Sequence, residues 1–172
     1  MSNQPSNPTP PAVRAGETLQ TLLLQGAQSA GRREDRRTCL AYAKVHLEAA
    51  NHSLGGPHPH TCIFNLEYAI MQIGNAIALG FHRTIENKPD SGHTHTLAAA
   101  IVEAYCQQRH PELLPGAALA SVSVRNRNNY MYRHQAVSDQ EAKRFGRAVG
   151  ELYKGLFAEI EAARGWVPVA PR

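Results

Sequence analysis

The sequence predicts an all-α protein, an antiparallel up-and-down bundle of five or six helices joined by short loops. Apolar residues recur at spacings of three and four along most of the chain, few segments alternate with period two, and Gly- and Pro-rich breaks separate the periodic segments. The length of 172 residues suits a single domain, because a chain of this size can bury roughly 70% of the surface that its unfolded form exposes.

The chain divides into two tails and one domain. Residues 1–13 are rich in Pro, Asn and Ser and offer almost nothing to bury, so they are predicted to form a flexible N-terminal tail. Residues 14–165 are predicted to form a single helical domain, and residues 166–172 a short C-terminal tail. The first helix of the domain is expected over about 15–30.

The second predicted helix spans about residues 32–53 and opens with the mixed-charge run RREDRR. Opposite charges three residues apart in this run favour a solvated helix face. Further along, five apolar residues fall on one face at helical spacing and predict the side that packs into the core: Cys39, Leu40, Ala43, Leu47 and Ala50.

The third helix, over about 61–83, has apolar residues around most of its circumference, which is typical of the central helix of a bundle. Its polar residues then need partners in the bundle or at a subunit interface; they are Asn65, Gln72 and Asn75. A fourth helix is expected over about 94–109. The alternating stretch ALASVSV (118–124) either leads into a helix or forms a short extended piece.

The most regular pattern belongs to the last helix, which is predicted over about 137–164. Ser138 and Glu141 have the spacing of a capping box, in which the two residues satisfy each other's backbone N–H groups. Gly146 and Gly150, four residues apart, either allow another helix to approach closely or simply lower the helix propensity.

The charge of the chain is basic and unevenly distributed. Of 18 basic residues, 14 are Arg, and the planar donor fork of Arg matches phosphate, which favours an anionic partner, although high-GC codon usage would give the same bias. Between Ser123 and Gly150 there are six basic and two acidic residues, a local balance of +4 that equals the net charge of the whole chain.

The cysteines and the N-terminus suggest the cellular compartment. Cys39, Cys62 and Cys106 are odd in number, far apart and without a CxxC pair, which favours reduced core thiols in a cytoplasmic protein. The N-terminus has no basic region followed by a hydrophobic run, so no secretory signal is expected. No stretch of 18 uninterrupted apolar residues exists, and no membrane span is predicted.

Nine histidines raise the question of a metal site, and two clusters stand out: His58-Pro-His60-Thr-Cys62 and His93-Thr-His95. Neither has the helical i, i+4 spacing or the paired CxxC spacing of a strong zinc site, so no metal is predicted. The chain also has no P-loop, no GxGxxG and no GxSxG motif, and no cofactor is predicted.

The segment RNRNNYMYRH, residues 125–134, concentrates groups that are costly to bury without partners. Arg127 is followed directly by the polar residue Asn128, and His134 comes after six intervening residues. This arrangement resembles the motif of the HEPN superfamily of helical-bundle proteins, in which an Arg and a polar residue precede a His with four to six residues between Arg and His.

The surroundings of this motif also resemble the superfamily, over roughly residues 35–162. The apolar third helix contains AIMQIGNAIALG, the next helix opens with GHTHTL after a loop, and VSDQEA starts the terminal helix. The resemblance implies an HEPN-like bundle in which the motif lies just before the last long helix.

The same segment can be aligned with the superfamily motif in a second way, a second register, which overlaps the first. Arg125, Asn126, Tyr130 and Tyr132 resemble a family variant with the order Arg, four residues, His, one residue, Tyr, found in toxins that pair with nucleotidyltransferase antitoxins. Tyr130 stands where that variant has His, so this register lacks the proton-transfer group. We prefer Arg127 with His134, because this pair retains a group that titrates near neutral pH.

The resemblance implies a metal-independent endoribonuclease of HEPN type, a toxin or defence component whose composite Arg/His site forms at a homodimer interface. His134 would act as acid or base, Arg127 would stabilise the charge on phosphate, and Asn128 would orient either group. RNA is the expected partner, and an antitoxin is a further one. The alternative is a catalytically inactive HEPN-like module that binds RNA, a nucleotide or a protein partner.

Residues around the motif are expected to contact RNA. Tyr130 and Tyr132 would stack on unpaired bases, although core packing is an equally good interpretation of these aromatic residues. A phosphate near the start of the last helix would also meet the positive end of the helix dipole. The basic residues expected to contact phosphates are Arg125, Arg133, Arg144 and Arg147.

Overall fold

The structure is a computed structural model, and it describes residues 12–13, 33–54, 56, 59–80, 84–85, 93–126, 129–130 and 136–162. Within these ranges the protein is built from five α-helices, which confirms the predicted all-α class. The helices are α1 (Arg33–Ser53), α2 (Pro59–Gly80), α3 (His93–Arg109), α4 (Leu114–Arg125) and α5 (Asp139–Ala162).

Short elements connect these helices. One turn of 3₁₀ helix, Pro111–Leu113, joins α3 to α4. Two two-residue strands, β1 (Ala12–Val13) and β2 (Thr84–Ile85), pair in parallel, so the last two residues of the predicted N-terminal tail contact the connection between α2 and α3. The helix predicted over 15–30 lies outside the described residues.

The helix predictions agree closely with the structure where it describes the chain. Both ends of α1 and α3 fall within a residue of the predicted limits, α2 begins two residues earlier than predicted, and α5 begins two residues later. The predicted last residues of α2 and α5, 81–83 and 163–164, lie outside the described residues. The stretch ALASVSV is helical throughout, because it forms most of α4.

Contacts between side chains establish how the helices run. Near one end of the bundle, Arg36 of α1 contacts Ala76 of α2, and near the other, His46 contacts Asn65, so α1 and α2 are antiparallel. The Asn65 amide also donates to the carbonyl of Thr61 at 3.0 Å, which supplies this polar residue of the apolar helix with the partners that the sequence requires.

Helices α2 and α3 run in the same direction, so the predicted up-and-down order is wrong at this step. The ring of Tyr68 lies edge-on to His95, and Gly74 packs against Ala98 further along both helices. The prediction assumed a short loop here, but the connection has 12 residues, 81–92. At about 3.3 Å per extended residue, 12 residues can span a distance greater than the length of α3. A connection of this length can therefore return the chain along the bundle, so that α3 runs in the same direction as α2.

The close approach of α2 to α3 depends on Gly74. A Cβ at this position would lie 2.9 Å from both the Cβ and the carbonyl oxygen of Ala98, which is too short for any side chain. By contrast, a Cβ at Gly146 would make ordinary contacts of 3.8 Å, and one at Gly150 would meet nothing within 4 Å. Gly146 and Gly150 therefore do not serve close helix packing among the described residues, whereas a Cβ at Gly155 of the same helix would lie 2.6 Å from Leu113 Cδ1.

The core lies around α2, which contacts all four other described helices. The predicted face of α1 is confirmed, since Leu40, Ala43 and Ala50 are buried and Cys39 and Leu47 pack against the core. The apolar stripe of α5 buries Phe145, Val149, Leu152 and Leu156.

The stretch His60–Gly80 of α2 is long and apolar enough to cross a membrane, with a mean hydropathy of 1.2. In the described part of the fold, 61% of the 18-residue window that meets this criterion is buried inside the protein. This burial explains why apolar residues surround the helix, as is typical of the central helix of a bundle.

The run RREDRR does not form a wholly solvated face, because Arg36 is only 4% exposed. This residue is four positions before Leu40 and seven before Ala43, so it continues the stripe of α1 that faces the core. Its neighbour Asp35 is exposed as predicted. The helical stripe, and not the local charge pattern, decides which of these residues is buried.

Candidate nucleic-acid interface

One end of the bundle carries both flanks of the Arg/His motif. Helix α4 ends at Arg125 and α5 begins at Asp139, and these two helices are antiparallel, with Gly116 packed against Ala148. We call this the motif end; α1 ends there and α2 begins there. Five of the predicted site residues, Arg127, Asn128, Tyr132, Arg133 and His134, lie outside the described residues.

The first residues of the motif segment form a tight turn. The N–H of Asn126 donates to the carbonyl of Val122 at 3.1 Å, and the carbonyl of Asn126 accepts the N–H groups of Asn129 (2.9 Å) and Tyr130 (3.2 Å). Tyr130 is partly buried and packs against the core, whereas Arg125 is exposed. Of the two interpretations that the sequence leaves open for Tyr130, core packing is the one that the structure favours.

The start of α5 has the predicted capping box. The Ser138 hydroxyl accepts the N–H of Glu141 at 3.2 Å, and the Glu141 carboxylate accepts the N–H and the hydroxyl of Ser138 at 2.9 and 2.8 Å. The backbone and hydroxyl hydrogen bonds from Ser138 lower the pKa of Glu141. A carboxylate thus already occupies the positive end of the helix dipole, so affinity for a phosphate here must come mainly from side-chain cations.

Three cations line an open depression of about 580 Å³ on the first turns of α5: Lys143, Arg144 and Arg147, together with Asp139 and Gln140. All three are exposed. Within the described ranges, none of them forms an ion pair with a carboxylate, so their charges remain directed toward solvent. This depression contains the two basic residues of α5 that the sequence assigned to RNA.

A second depression of about 500 Å³ continues the first between α1 and α5. The two share Lys143 and Arg147, and together they form what we call the α1–α5 groove. On the α1 side the groove is lined by Leu47, Asn51 and Leu54, and on the α5 side by Lys143, Gly146, Arg147, Gly150, Glu151, Tyr153 and Lys154.

Sequence reasoning missed Tyr153 and Lys154 as groove residues. Lys143, Arg147 and Lys154 are separated by four and seven residues, which places them along one face of a helix. That spacing was visible in the sequence. The partner wall from α1 was not, because it depends on how the two helices pack.

The opposite end of the bundle carries a buried polar network, and we call it the network end. Arg36 donates from Nε to the carbonyl of Ala76 at 2.9 Å, and Gly80 leaves room for its guanidinium, since a Cβ there would lie 3.1 Å from Cζ. Burial lowers the pKa of Arg36, while the Glu159 carboxylate and a hydrogen bond to Tyr105 act in the opposite direction. The Tyr105 hydroxyl in turn donates to Glu159.

His110 closes this network at the turn between α3 and α4. Its Nε2 lies 3.0 Å from Glu159 Oε2 and its Nδ1 lies 3.1 Å from Glu112 Oε1. Burial alone would lower the pKa of His110, but the hydrogen bonds to Glu159 and Glu112 and the charges of both carboxylates outweigh it and raise the pKa. His110 therefore links the α3–α4 turn to α5 through charge-assisted hydrogen bonds when it is protonated.

The cysteines are core thiols, as the sequence predicts. Cys62 and Cys106 are buried, Cys39 is partly buried, and all three are free. Burial raises the pKa of Cys39 and of Cys62 to about 11, and that of Cys106 to about 12. At neutral pH these thiols are protonated and therefore poor nucleophiles.

The histidine clusters do not converge with other ligands where the structure describes them. Among the described residues, no three His, Cys, Asp or Glu side chains come together as a metal site requires. His95 instead packs against Tyr68, which also stacks on His46 at a centroid distance of 5.2 Å. His58 lies outside the described residues.

Comparisons with known proteins do not assign the chain to a family. No protein-family model matches it, and no curated protein and no solved structure is significantly similar to it.

Proposed function

We propose that this protein is a metal-independent endoribonuclease of HEPN type, a toxin or defence component that acts as a homodimer. The observation that carries the proposal is the α1–α5 groove at the motif end, where exposed cations line the first turns of α5, the helix that follows the motif segment in the sequence. Both flanks of that segment, the end of α4 and the start of α5, are at the same end of the bundle.

The proposed chemistry needs a proton-transfer group and a cation. His134 takes the proton of the RNA 2′-hydroxyl or donates one to the leaving oxygen, because an imidazole titrates near neutral pH. Arg127 stabilises the negative charge that develops on phosphate, and Asn128 orients either group. Arg144 and Arg147 supply phosphate contacts that hold the strand.

A direct assay tests this proposal. Purified protein is incubated with single-stranded RNA in the presence of EDTA, and we expect cleavage that Arg127→Ala or His134→Ala abolishes. Matched controls are Arg109→Ala and His52→Ala, since both residues are exposed and lie outside the motif; these variants should cleave like wild type. Circular dichroism melts verify that all four variants remain folded.

Two results would refute the assignment. One is cleavage that persists in both motif variants, and the other is cleavage that depends on an added divalent ion. In the second register Arg125 and Tyr130 replace Arg127 and His134. Loss of cleavage in Arg125→Ala, together with wild-type cleavage in His134→Ala, would select this register. The partly buried position of Tyr130 gives that register little support.

A catalytically inactive module that binds RNA through the same surface is the second candidate. One observation favours it: the described cations of the groove can hold phosphates without any proton-transfer group among them. This module would bind RNA with an affinity that falls steeply with salt, because phosphate contacts release counterions, and it would leave the RNA intact.

A further inference from the structure

We infer that the α1–α5 groove binds a short single strand of RNA, and that Gly150 keeps the groove open. The inference rests on the proposed function for its choice of ligand. It assigns phosphate contacts to Lys143, Arg147 and Lys154 and a base contact to Tyr153, none of which belongs to the Arg/His motif.

The groove has the length and shape of a strand-binding cleft. Lys143, Arg147 and Lys154 follow one face of α5, and with a rise of about 1.5 Å per residue they extend over about 16 Å along the helix. Leu47 of α1 and Leu54, which directly follows α1, line the groove opposite these cations. One wall is therefore cationic and the other is partly apolar.

The charges of the groove suit a polyanion. In the part between α1 and α5, the groove is lined by three cations and by one carboxylate, that of Glu151. In the portion of the chain that the structure describes, neither Lys143 nor Lys154 forms an ion pair. Each can therefore contact a phosphate without first breaking an ion pair within the protein.

An aromatic pair lies at the far end of the groove. Tyr153 lines it and stacks on Phe157, with ring centroids 5.8 Å apart and an angle of 26° between the ring planes, and Phe157 is 40% exposed. Burial and the charge of Glu48 raise the pKa of Tyr153, so its hydroxyl is neutral at physiological pH and does not repel phosphate. A basic groove with an aromatic face is the arrangement with which proteins bind single strands.

Gly150 determines the free space in the groove. A Cβ at this position would meet no protein atom within 4 Å, so a larger side chain would project into the groove and not into the core. Gly is unfavourable in a helix interior by about 1 kcal/mol relative to Ala. No close helix contact among the described residues accounts for this glycine, whereas an open groove does.

A single strand fits these features better than a duplex. A duplex keeps its bases stacked and paired, so only its backbone and shape are available to the protein. The apolar wall and the Tyr153 ring contact bases only when those bases are unpaired. We therefore expect the groove to discriminate between single-stranded RNA and the same sequence annealed to its complement.

The test measures binding independently of cleavage. The probe is a fluorescently labelled single-stranded RNA with 2′-O-methyl riboses, which blocks the hydroxyl that the proposed reaction needs, and binding is followed by anisotropy at several salt concentrations. We expect Gly150→Leu and Lys154→Ala each to weaken binding about fivefold or more. Lys154→Ala should also reduce the slope of log affinity against log salt by about 0.7.

Two matched controls accompany these variants. Gly150→Ala adds only a methyl group and fills less of the groove than Leu, and Arg109→Ala removes an exposed cation at the end of α3, at the opposite end of the bundle from the motif. Gly150→Ala should weaken binding less than Gly150→Leu does, and Arg109→Ala should bind the probe like wild type. Gly150→Leu should melt at or above the wild-type temperature, which separates loss of binding from loss of fold.

The outcomes separate this inference from the proposed function. Unchanged affinity in both Gly150→Leu and Lys154→Ala overturns the inference even if Arg127 and His134 prove essential for cleavage, and so does equal affinity for single-stranded and duplex probes. Weakened binding in both variants supports the inference even if no RNA is cleaved, in which case the nuclease is refuted and the binding module remains.

Discussion

The two ends of the bundle use the same residue type in opposite ways. At the network end, Arg36 is 4% exposed, and Ala76, Tyr105 and Glu159 surround its guanidinium. At the motif end, Arg144 and Arg147 are exposed and form no ion pair with a described carboxylate. Arg is thus a structural residue where its charge is compensated and a candidate ligand-binding residue where it is not.

This difference shows why counting charges along the chain is a weak guide to function. The run RREDRR and the basic segment from 123 to 150 both carry more basic than acidic residues, yet the first places an Arg in the core. Whether a cation is available to a partner depends on the side of the helix it occupies. The comparison can be tested by removing the cation at each end.

The largest effect is expected for Arg36→Ala at the network end. Removal of Arg36 takes one of two neighbouring cations from Glu159, the other being His110, and leaves the carbonyl of Ala76 without its donor. We expect a loss of about 3–5 kcal/mol in the free energy of unfolding, measured by urea denaturation. A loss below about 1 kcal/mol would mean that the network contributes no more than a surface ion pair.

A smaller, pH-dependent effect is expected from His110. Its folded-state pKa is raised above the ordinary value of 6.5, so the folded protein holds this proton more tightly than the unfolded chain. The stabilisation is complete below about pH 6.5 and is lost as the pH rises through the folded-state value. A neutral imidazole has only one N–H, so it cannot donate to both Glu112 and Glu159.

The measurement for His110 is the free energy of unfolding as a function of pH. Wild type should lose stability as the pH rises through this range, and His110→Gln should lose less over the same range. The exposed His52→Gln serves as the control and should retain the wild-type slope. If His110→Gln retains that slope too, the pH dependence in this range does not arise from His110.

The smallest effect on stability is expected for Arg144→Ala at the motif end. Because its side chain is exposed, the free energy of unfolding should change by no more than about 0.5 kcal/mol. For single-stranded RNA, the same variant should reduce the slope of log affinity against log salt by about 0.7, which corresponds to one phosphate contact. A clear loss of stability without a change in slope would make Arg144 a structural residue and end the contrast with Arg36.

Local signals in the sequence predicted the local structure well. The Ser138–Glu141 capping box and the stripe of Leu40, Ala43 and Ala50 depend on neighbours within a few turns of one helix, and both are present as predicted. Small residues were less informative. Gly146 and Gly150 drew attention because they are four apart, whereas the close helix contact is made at Gly74.

Features that depend on packing between distant segments were not predictable from the pattern. The parallel run of α2 and α3 depends on a 12-residue connection whose length alone gives no direction. The α1–α5 groove requires Leu54 and Tyr153 to line the same depression, although 98 residues separate them in the chain. The HEPN resemblance, the homodimer and the cytoplasmic location stay predictions.

Gly150 has an evolutionary consequence if it holds the groove open. Replacement by Ala would raise helix stability at no steric cost to the fold, so selection for stability alone would favour losing this glycine. A descendant that no longer needs an open groove would be free to accept a larger residue. In any future set of related sequences, the residue at this position would therefore distinguish lineages that keep the groove in use from lineages that have abandoned it.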